Sequence, residues 1–181
     1  RPSQAERFAQ KLWHQQRTFY DKQIKALEQQ RQKLLRSDRD LHRRYEQLKG
    51  IDGVGPTAAL LWLCLFYGQV HLNARRIASR FGFAPHGSRS GTSRDRGSHS
   101  TGHGKKEVRK VLTMCARSAG THHEKYRQYK ARKLAEGKAS QLVTNNMINK
   151  LIRVVCAVWN QDAAYDRSHV SRFVQNTASV T

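Results

Sequence analysis

A polar segment over residues 85–104 carries the side chains that could do chemistry on a phosphodiester. Its serines are Ser88, Ser90, Ser93, Ser98 and Ser100, and its arginines are Arg89, Arg94 and Arg96. Guanidinium groups offer forked donors to phosphate oxygens, and glycines let a phosphate come close to the backbone. A serine hydroxyl held there could attack phosphorus, provided that a base accepts its proton and cations neutralise the developing charge. The same composition suits a flexible segment that coats a polyanion without chemistry, and composition alone leaves both interpretations open.

A glycine-rich turn offers a second way to hold a phosphate. The run GIDGVGPTAAL, which begins at Gly50, is typical of a helix–hairpin–helix element in which the second helix starts at Pro56. Free amides at the start of that helix would point at an anion, and the helix dipole would favour it. We expect Ile51 and Val54 to anchor the turn in the core. The expected contacts with the DNA backbone are Gly53, Val54, Gly55 and Thr57. A plain turn between two helices is the alternative.

A basic helix directly follows the polar segment. Its first turns contain Lys105, Lys106 and Arg109, which we expect to contact phosphate, although a merely solvated basic face explains them equally well. His122 and His123 lack cysteine or carboxylate partners at ligand spacing, so no metal site is expected in this chain. The acidic residues are also too scattered to form a two-metal nuclease site.

The charge balance predicts a polyanionic partner. The chain has 181 residues, with 34 Lys and Arg against 13 Asp and Glu, which gives a formal net charge of +21. Nucleic acid is the favoured partner and an anionic membrane surface the second choice. The net charge does not distinguish DNA from RNA as the partner, because both present a phosphate backbone. No apolar run reaches about 18 residues, so no transmembrane helix is expected. The chain begins without Met or a signal-like stretch, and we read it as a fragment of a cytoplasmic protein.

The elements that must position these groups are predicted to be helical. Residues 4–49 have the composition of one long exposed helix, with apolar residues on alternating three- and four-residue steps. These are Trp13, Tyr20, Ile24, Leu27, Leu34, Leu41, Tyr45 and Leu48. Arg31 and Asp38 fall at two seam positions of the same register. The pattern predicts a coiled-coil arm that meets a second subunit. An amphipathic helix docked on its own domain is the alternative.

The rest of the chain predicts a compact helical domain, so the fold class is all-α. Helices are expected over residues 56–66, 74–81, 105–118, 122–136 and 141–159, with 85–104 as a long loop and no strand pattern. The last helix should bury Met147, Ile148, Leu151, Ile152, Val155 and Trp159. The three cysteines lie in apolar helical runs and are expected to be buried, reduced thiols. The predicted domains are an arm over 1–49, a helical domain over 50–166 and a polar tail over 167–181.

Several of these motifs occur together in one family. Gly50 to about Asp166 resembles the C-terminal transposase domain of the IS-one-ten class of bacterial insertion sequences, and the related Piv-type DNA invertases. The run GIDGVGPTAAL is followed by Gly82-Phe83-Ala84-Pro85, similar to the family's Gly-Leu-x-Pro. The Ser90-Gly91 pair is similar to its Ser-Gly motif. Gly104, Val108-Arg109 and Leu112 are similar to its Gly-x-x-x-Leu-Arg-x-x-Leu.

The resemblance implies more than the composition does. In these recombinases an N-terminal RuvC-like domain holds four acidic residues and a divalent metal, here expected to be Mg in a domain that this chain lacks. A coiled coil mediates subunit contacts, which implies a homodimer or tetramer, and a bridge RNA guides some members. The motif serine is the nucleophile that joins DNA, which makes Ser90 the candidate here, with Gly91 beside it and Ser88 as runner-up. Our candidate phosphate clamps are Arg89, Arg94, Arg96 and Arg109.

Two other functions compete with this one. A non-catalytic helix–hairpin–helix module would bind DNA or RNA with the same residues, and its serines would do no chemistry. A base-excision glycosylase would need an acidic residue downstream of the hairpin on a compact fold. The next carboxylate after Asp52 is Asp95, inside the predicted loop, which argues against a glycosylase.

Overall fold

The computed structural model describes residues 3–90 and 94–168, and for residues 85–99 it describes the backbone alone. Within this part the chain forms seven α-helices and one two-stranded ladder. The helices are α1 (Gln4–Ser37), α2 (Arg39–Lys49), α3 (Pro56–Phe66), α4 (Ala74–Arg80), α5 (Lys106–His122), α6 (Glu124–Ala135) and α7 (Ser140–Gln161), and the strands are β1 (Pro85–Ser90) and β2 (Arg94–Ser100). The all-α prediction is confirmed. The chain divides into two compact units, residues 1–43 and 44–181.

The first unit is dominated by α1, which begins at a capping box. The Ser3 hydroxyl accepts from the Glu6 amide at 3.3 Å, and the Glu6 carboxylate accepts from the Ser3 amide at 2.6 Å. The helix ends at Asp38, whose backbone is extended. The Asp38 carboxylate then accepts from the amides of Asp40 and Leu41 and so caps α2. The single helix predicted over residues 4–49 is therefore wrong at one point, because a capping aspartate occupies a seam position.

One face of α1 is apolar and exposed. The exposed large apolar side chains on this helix are Phe8, Leu12, Trp13, Phe19, Tyr20, Ile24, Leu27 and Leu34. At 100° per residue they fall within an arc of about 160°. The apolar stripe predicted from the sequence is therefore present, and its pairing with a second helix remains a prediction.

The core of the second unit is built on α3, α5 and α7. All six residues predicted to be buried on α7 are buried. The Phe66 ring lies between two indoles, stacked on Trp62 at 5.0 Å and edge-on to Trp159 at 5.5 Å. The Trp159 indole N–H donates to the Gln69 carbonyl at 3.0 Å, so this large side chain is buried without an unpaired donor.

Two local predictions need correction. The helix predicted to end at Ser118 continues to His122. Cys115 and Cys156 are buried as expected, but Cys64 is exposed. The buried positions of α3 include Ala59, Trp62, Leu63 and Phe66, which share one helical face. Cys64 therefore points away from the core.

A two-stranded hairpin replaces most of the predicted long loop. Strand β1 pairs antiparallel with β2, and the register sets Pro85 opposite Ser100 and Ser90 opposite Arg94. The pairing is irregular between Gly87 and Arg89. Small polar residues dominate both strands, and they lack the apolar alternation that predicts a strand from sequence.

None of the helices in the described residues combines the length and the apolar character needed to cross a membrane.

Candidate nucleic-acid interface

The turn between α2 and α3 is anchored in the core, as the sequence predicts. Ile51 and Val54 are 2% and 5% exposed. The Val54 amide donates to the Ile51 carbonyl at 2.9 Å, which closes the turn. Gly53 has φ +84°, and a Cβ added there would lie 2.6 Å from the Ala119 Cβ and 2.8 Å from the Cys115 carbonyl oxygen. Gly53 is therefore needed for the fit of the turn against α5, a role that the sequence did not reveal.

Gly55 differs from Gly53 in both respects. Its φ of −81° suits any residue, and a Cβ built on it meets nothing within 4 Å. It is the N-cap of α3 and contributes no side-chain cap, and Pro56 follows at the first helical position. The amides of Thr57 and Ala58 thus have no partner within the helix. Gly55, Pro56 and Thr57 are all exposed, so an anion has open access to this helix start.

The turn between α2 and α3 is also held by the buried Asp52 and by His123, which lies at the junction of α5 and α6. The His123 Nε2 accepts from the Gly53 amide at 3.1 Å, so the neutral ring carries its proton on Nδ1. That Nδ1 lies 3.1 Å from the Asp52 Oδ1, at ion-pair distance. Asp52 is only 8% exposed, and Arg167 Nε also lies 3.0 Å from its Oδ1. His123 thus joins the α5–α6 junction to the turn.

Two tyrosines complete this polar cluster. The Tyr165 hydroxyl donates to the second Asp52 oxygen at 3.5 Å. Burial, together with the nearby Tyr165 and Asp52, raises the pKa of Tyr126. Burial and the Asp52 carboxylate also raise the pKa of Tyr165. Both phenols therefore remain neutral near pH 7, and the Tyr165 hydroxyl meets the Asp52 carboxylate as a neutral donor.

The predicted nucleophile lies at the end of a strand. Ser90 is the last residue of β1, opposite Arg94 in the register, and Arg89 is opposite Asp95. Ser88, the runner-up, falls in the irregular step of the ladder, where Arg96 lies on the facing strand. Gly91 lies outside the described residues. The backbone thus brings one candidate clamp, Arg94, directly across from the candidate nucleophile.

Arg109 and two glycines hold together the chain segments at the base of the hairpin, just before β1 and just after β2. Arg109 Nη1 donates to the carbonyls of Phe81 and Gly82 at 2.8 and 3.0 Å, and its guanidinium lies 4.6 Å from the centre of the Phe83 ring. A Cβ on Gly82, which has φ +69°, would lie 2.1 Å from the His103 carbonyl oxygen. A Cβ on Gly104 would lie 2.8 Å from the Phe81 Cα. The motif residues Gly82, Gly104 and Arg109 therefore close the hairpin at its base.

The start of α5 presents the remaining predicted contacts. Lys105 is the N-cap of this helix and supplies no side-chain cap, and Lys106 is its first residue. Both are exposed. Arg109 is half-buried and has the intramolecular role described above, which the sequence interpretation missed. Among the described residues, no group of three or more His, Cys, Asp or Glu side chains is arranged to hold a metal ion.

The geometry thus describes a helical domain with an open helix start, a basic helix and a serine-bearing hairpin. The model of the family described as "Transposase IS116/IS110/IS902 family" matches residues 45–131, from α2 into α6. This segment contains the turn, the hairpin and the whole of α5. Residues 45–131 therefore match this transposase family, and the resemblance seen in the sequence is confirmed over that segment. No curated protein matches the chain.

The family match covers a shorter part of the chain than the resemblance does. The resemblance drawn from the sequence extends to Asp166, whereas the match ends within α6. Helix α7 completes the core but lies beyond the matched segment.

Proposed function

We propose that this chain holds the backbone of DNA at the start of α3 and cuts it with Ser90, as the nucleophile-bearing part of a transposase. The family match across the turn, the hairpin and α5 carries this proposal. Support from the structure comes from the exposed Gly55–Thr57 segment and from the position of Ser90 at the end of a strand whose base is clasped by Arg109. Such contacts fix a phosphate without reading a base.

The proposed chemistry is a transesterification at phosphorus. The Ser90 hydroxyl gives up its proton and its oxygen forms a bond to phosphorus, while one P–O bond of the DNA strand breaks. The leaving DNA oxygen takes a proton, and the strand stays joined to the protein as a serine phosphodiester. Guanidinium groups such as those of Arg89, Arg94 and Arg96 would neutralise charge on the phosphate. The reverse step, with a different DNA hydroxyl as attacker, completes strand exchange.

We assign the metal to a second domain. The resemblance drawn from the sequence implies a RuvC-like domain that holds four acidic residues and Mg. The 181-residue chain alone should then bind DNA without completing recombination. A guide RNA remains part of the proposal, since a chain of net charge +21 accepts RNA and DNA phosphates alike.

A glycine substitution tests the phosphate contact. Gly55→Ala should keep the stability of the protein, because φ is −81° and the new methyl group meets open space. It should weaken binding to duplex DNA of any sequence by roughly tenfold, since about 1.4 kcal/mol of lost contact corresponds to that factor. Gly50→Ala is the matched control, because its Cβ would meet only ordinary contacts of 3.4 Å or more. Equal affinities for the two variants would argue against a phosphate at the start of α3.

A trapping experiment tests the nucleophile. The intact protein, supplied with element ends and Mg, should yield a covalent protein–DNA adduct that survives denaturation and maps to Ser90 by mass spectrometry. Ser90→Ala should abolish the adduct, and Ser88→Ala serves as the matched control. An undiminished adduct in Ser90→Ala would refute the assignment. An adduct lost only in Ser88→Ala would move the nucleophile to the runner-up.

The exposed stripe of α1 supports self-association. Trp13, Tyr20, Leu27 and Leu34 recur every seven residues and are 58–70% exposed. We propose that this stripe pairs with the same stripe of a second copy. Sedimentation velocity should then find a dimer or tetramer, and Leu27→Lys should shift it toward monomer. The control Lys25→Glu changes charge away from the stripe. A monomeric wild type at micromolar concentration would contradict the coiled coil.

A non-catalytic module remains the second candidate function. The same helix start and basic residues would bind DNA or RNA without any covalent step. DNA binding that is lost in Gly55→Ala, together with no adduct in the intact protein, would favour this alternative.

A further inference from the structure

A cleft lies between α4 and α7, and no residue of the turn at Gly55 lines it. Its volume is about 480 Å³, and its lining includes His71, Asn73, Arg75, Ala84, Asn149 and Arg153. Arg75 and Arg153 are exposed and come from the two facing helices. The proposed function assigns no role to either residue. We call these two arginines, which both line the cleft, the pincer; guanidinium groups are well suited to bind phosphate oxygens.

The helices that form this cleft carry no acidic residue. Helix α4 reads ARRIASR and contains Arg75, Arg76 and Arg80, while the 22 residues of α7 include cations but no Asp or Glu. In the part of the chain that the structure describes, the salt bridges involve neither Arg75 nor Arg153. The cleft thus concentrates positive charge, whereas many surface cations of this protein are paired along their own helix.

The positive field continues from α7 to α6. Lys150 lies 3.7 Å from the centre of the Tyr129 ring. Burial lowers the pKa of Lys150, and the charges of Arg132, Lys125, Lys133 and Arg153 lower it further. Arg153 therefore belongs both to the cleft and to this like-charged cluster. Such a cluster is unfavourable for the free protein, and a bound polyanion would relieve the repulsion.

The cleft is tied to the base of the hairpin. Asn149, on its wall, donates to the Phe83 carbonyl at 3.0 Å, and Ala84 lines the cleft just before β1 begins. From Ala84 to Ser90 an extended strand spans about 20 Å, which equals the rise of about six base pairs. One nucleic-acid segment could therefore occupy the cleft while another part of it reaches the hairpin.

From this geometry we propose that the cleft between α4 and α7 is a second backbone-binding site, where Arg75 and Arg153 hold phosphodiester groups of a nucleic acid. The proposal rests on the proposed function, since it extends the nucleic-acid interface to a new face. The ligand chemistry is the phosphodiester, which DNA and RNA share. The asparagines that line the cleft can add hydrogen bonds to sugar or base edges.

The test compares two double variants of equal charge. Arg75→Gln with Arg153→Gln removes the pincer. Arg127→Gln with Lys138→Gln is the matched control, because these cations are paired with Glu124 and Glu136. Binding of the full chain to a DNA duplex and to a structured RNA is measured over a range of salt concentrations. Both pincer residues are exposed, so circular dichroism should show an unchanged fold.

We expect the pincer variant to lose more than about tenfold in affinity for at least one nucleic acid, and its log–log salt slope on duplex DNA to fall by about 2 if DNA fills the cleft. The control should lose less than about threefold. A loss confined to the RNA arm would assign the cleft to RNA. Equal losses for pincer and control on both nucleic acids would overturn the proposal.

The two proposals fail in different ways. If Gly55→Ala weakens binding while the pincer variant behaves like its control, the interface at α3 stands and the cleft is excluded. If the wild type binds neither nucleic acid, both proposals are wrong. If only the pincer variant loses affinity, the cleft is the principal site and the contact at α3 is the one refuted.

Discussion

Gly53 provides the sharpest test of how the turn is held against α5. Replacing it with Ala adds a methyl group 2.6 Å from the Ala119 Cβ and 2.8 Å from the Cys115 carbonyl oxygen. The backbone must also keep φ at +84°, in a region that L-residues rarely adopt. Gly55→Ala places the same methyl group in open space at φ −81°. The two substitutions therefore differ in structural cost but not in chemistry.

The magnitude follows from two costs and one gain. The left-handed backbone costs Ala about 1–2 kcal/mol, and overpacking of a tight contact costs about 1–3 kcal/mol. Replacing glycine also lowers the conformational entropy of the unfolded chain, which stabilises the folded state by about 0.4–1 kcal/mol. Gly53→Ala should thus lower the free energy of unfolding by about 1–5 kcal/mol, with about 3 kcal/mol at the middle of that range, against the roughly 5–15 kcal/mol of an ordinary domain. Gly55→Ala should change it by less than about 0.5 kcal/mol.

Urea unfolding followed by far-ultraviolet circular dichroism measures the difference. With a slope of about 2 kcal/mol per molar urea, the Gly53→Ala midpoint should fall by about 0.5–2.5 M. Adding Ala119→Gly removes the nearest contact but not the Cys115 carbonyl, so rescue should be partial, with a coupling of about 0.5 kcal/mol or more. A Gly53→Ala midpoint equal to that of Gly55→Ala would refute the packing argument.

Two further predictions concern the turn and the thiols. His123→Ala removes the acceptor of the Gly53 amide and should lower the free energy of unfolding by about 1–3 kcal/mol, measurable in the same urea assay; an unchanged midpoint would show that water replaces the ring without penalty. Burial raises the pKa values of Cys115 and Cys156 to about 11, so both stay protonated at pH 8 and should resist a thiol reagent in the native protein. The exposed Cys64 should react, and mass spectrometry should find one label; two or three labels would contradict the burial of the other thiols.

Local signals in the sequence predicted most of the helical fold. Pro56 begins α3 as expected, and Asn73 caps α4 by accepting from the Arg76 amide. Gly82 and Gly137 have positive φ where helices were expected to end. These signals depend only on residues within about one helical turn, so they can be recognised in the sequence without knowledge of the fold. The break at Asp38 was equally local, but the seam pattern concealed the capping role of that residue.

Contacts between distant residues could not be predicted in the same way. The Gly53–His123 hydrogen bond joins residues 70 positions apart. The role of Arg109 at the hairpin base spans 28 positions to Phe81. The hairpin itself is paired through its backbone and has no apolar face to mark it. In the sequence, Arg109 suggested a phosphate clamp and His123 suggested no function, because the distant backbone partner of each side chain is known only from the packing.

Helix α5 connects the two parts of the proposed site. Its first turns hold the hairpin base through Arg109, and its later turns receive Gly53 between Cys115 and Ala119. The ten residues between Arg109 and Ala119 span about 15 Å of helix. A rigid helix of this length fixes the spacing between the open start of α3 and the base of the hairpin, because the Arg109 side chain holds the hairpin base and Gly53 packs directly on the helix. Gly53, Gly82 and Gly104 are thus required by their fit to neighbouring atoms, whereas the absence of a side chain at Gly55 has no structural explanation within the protein.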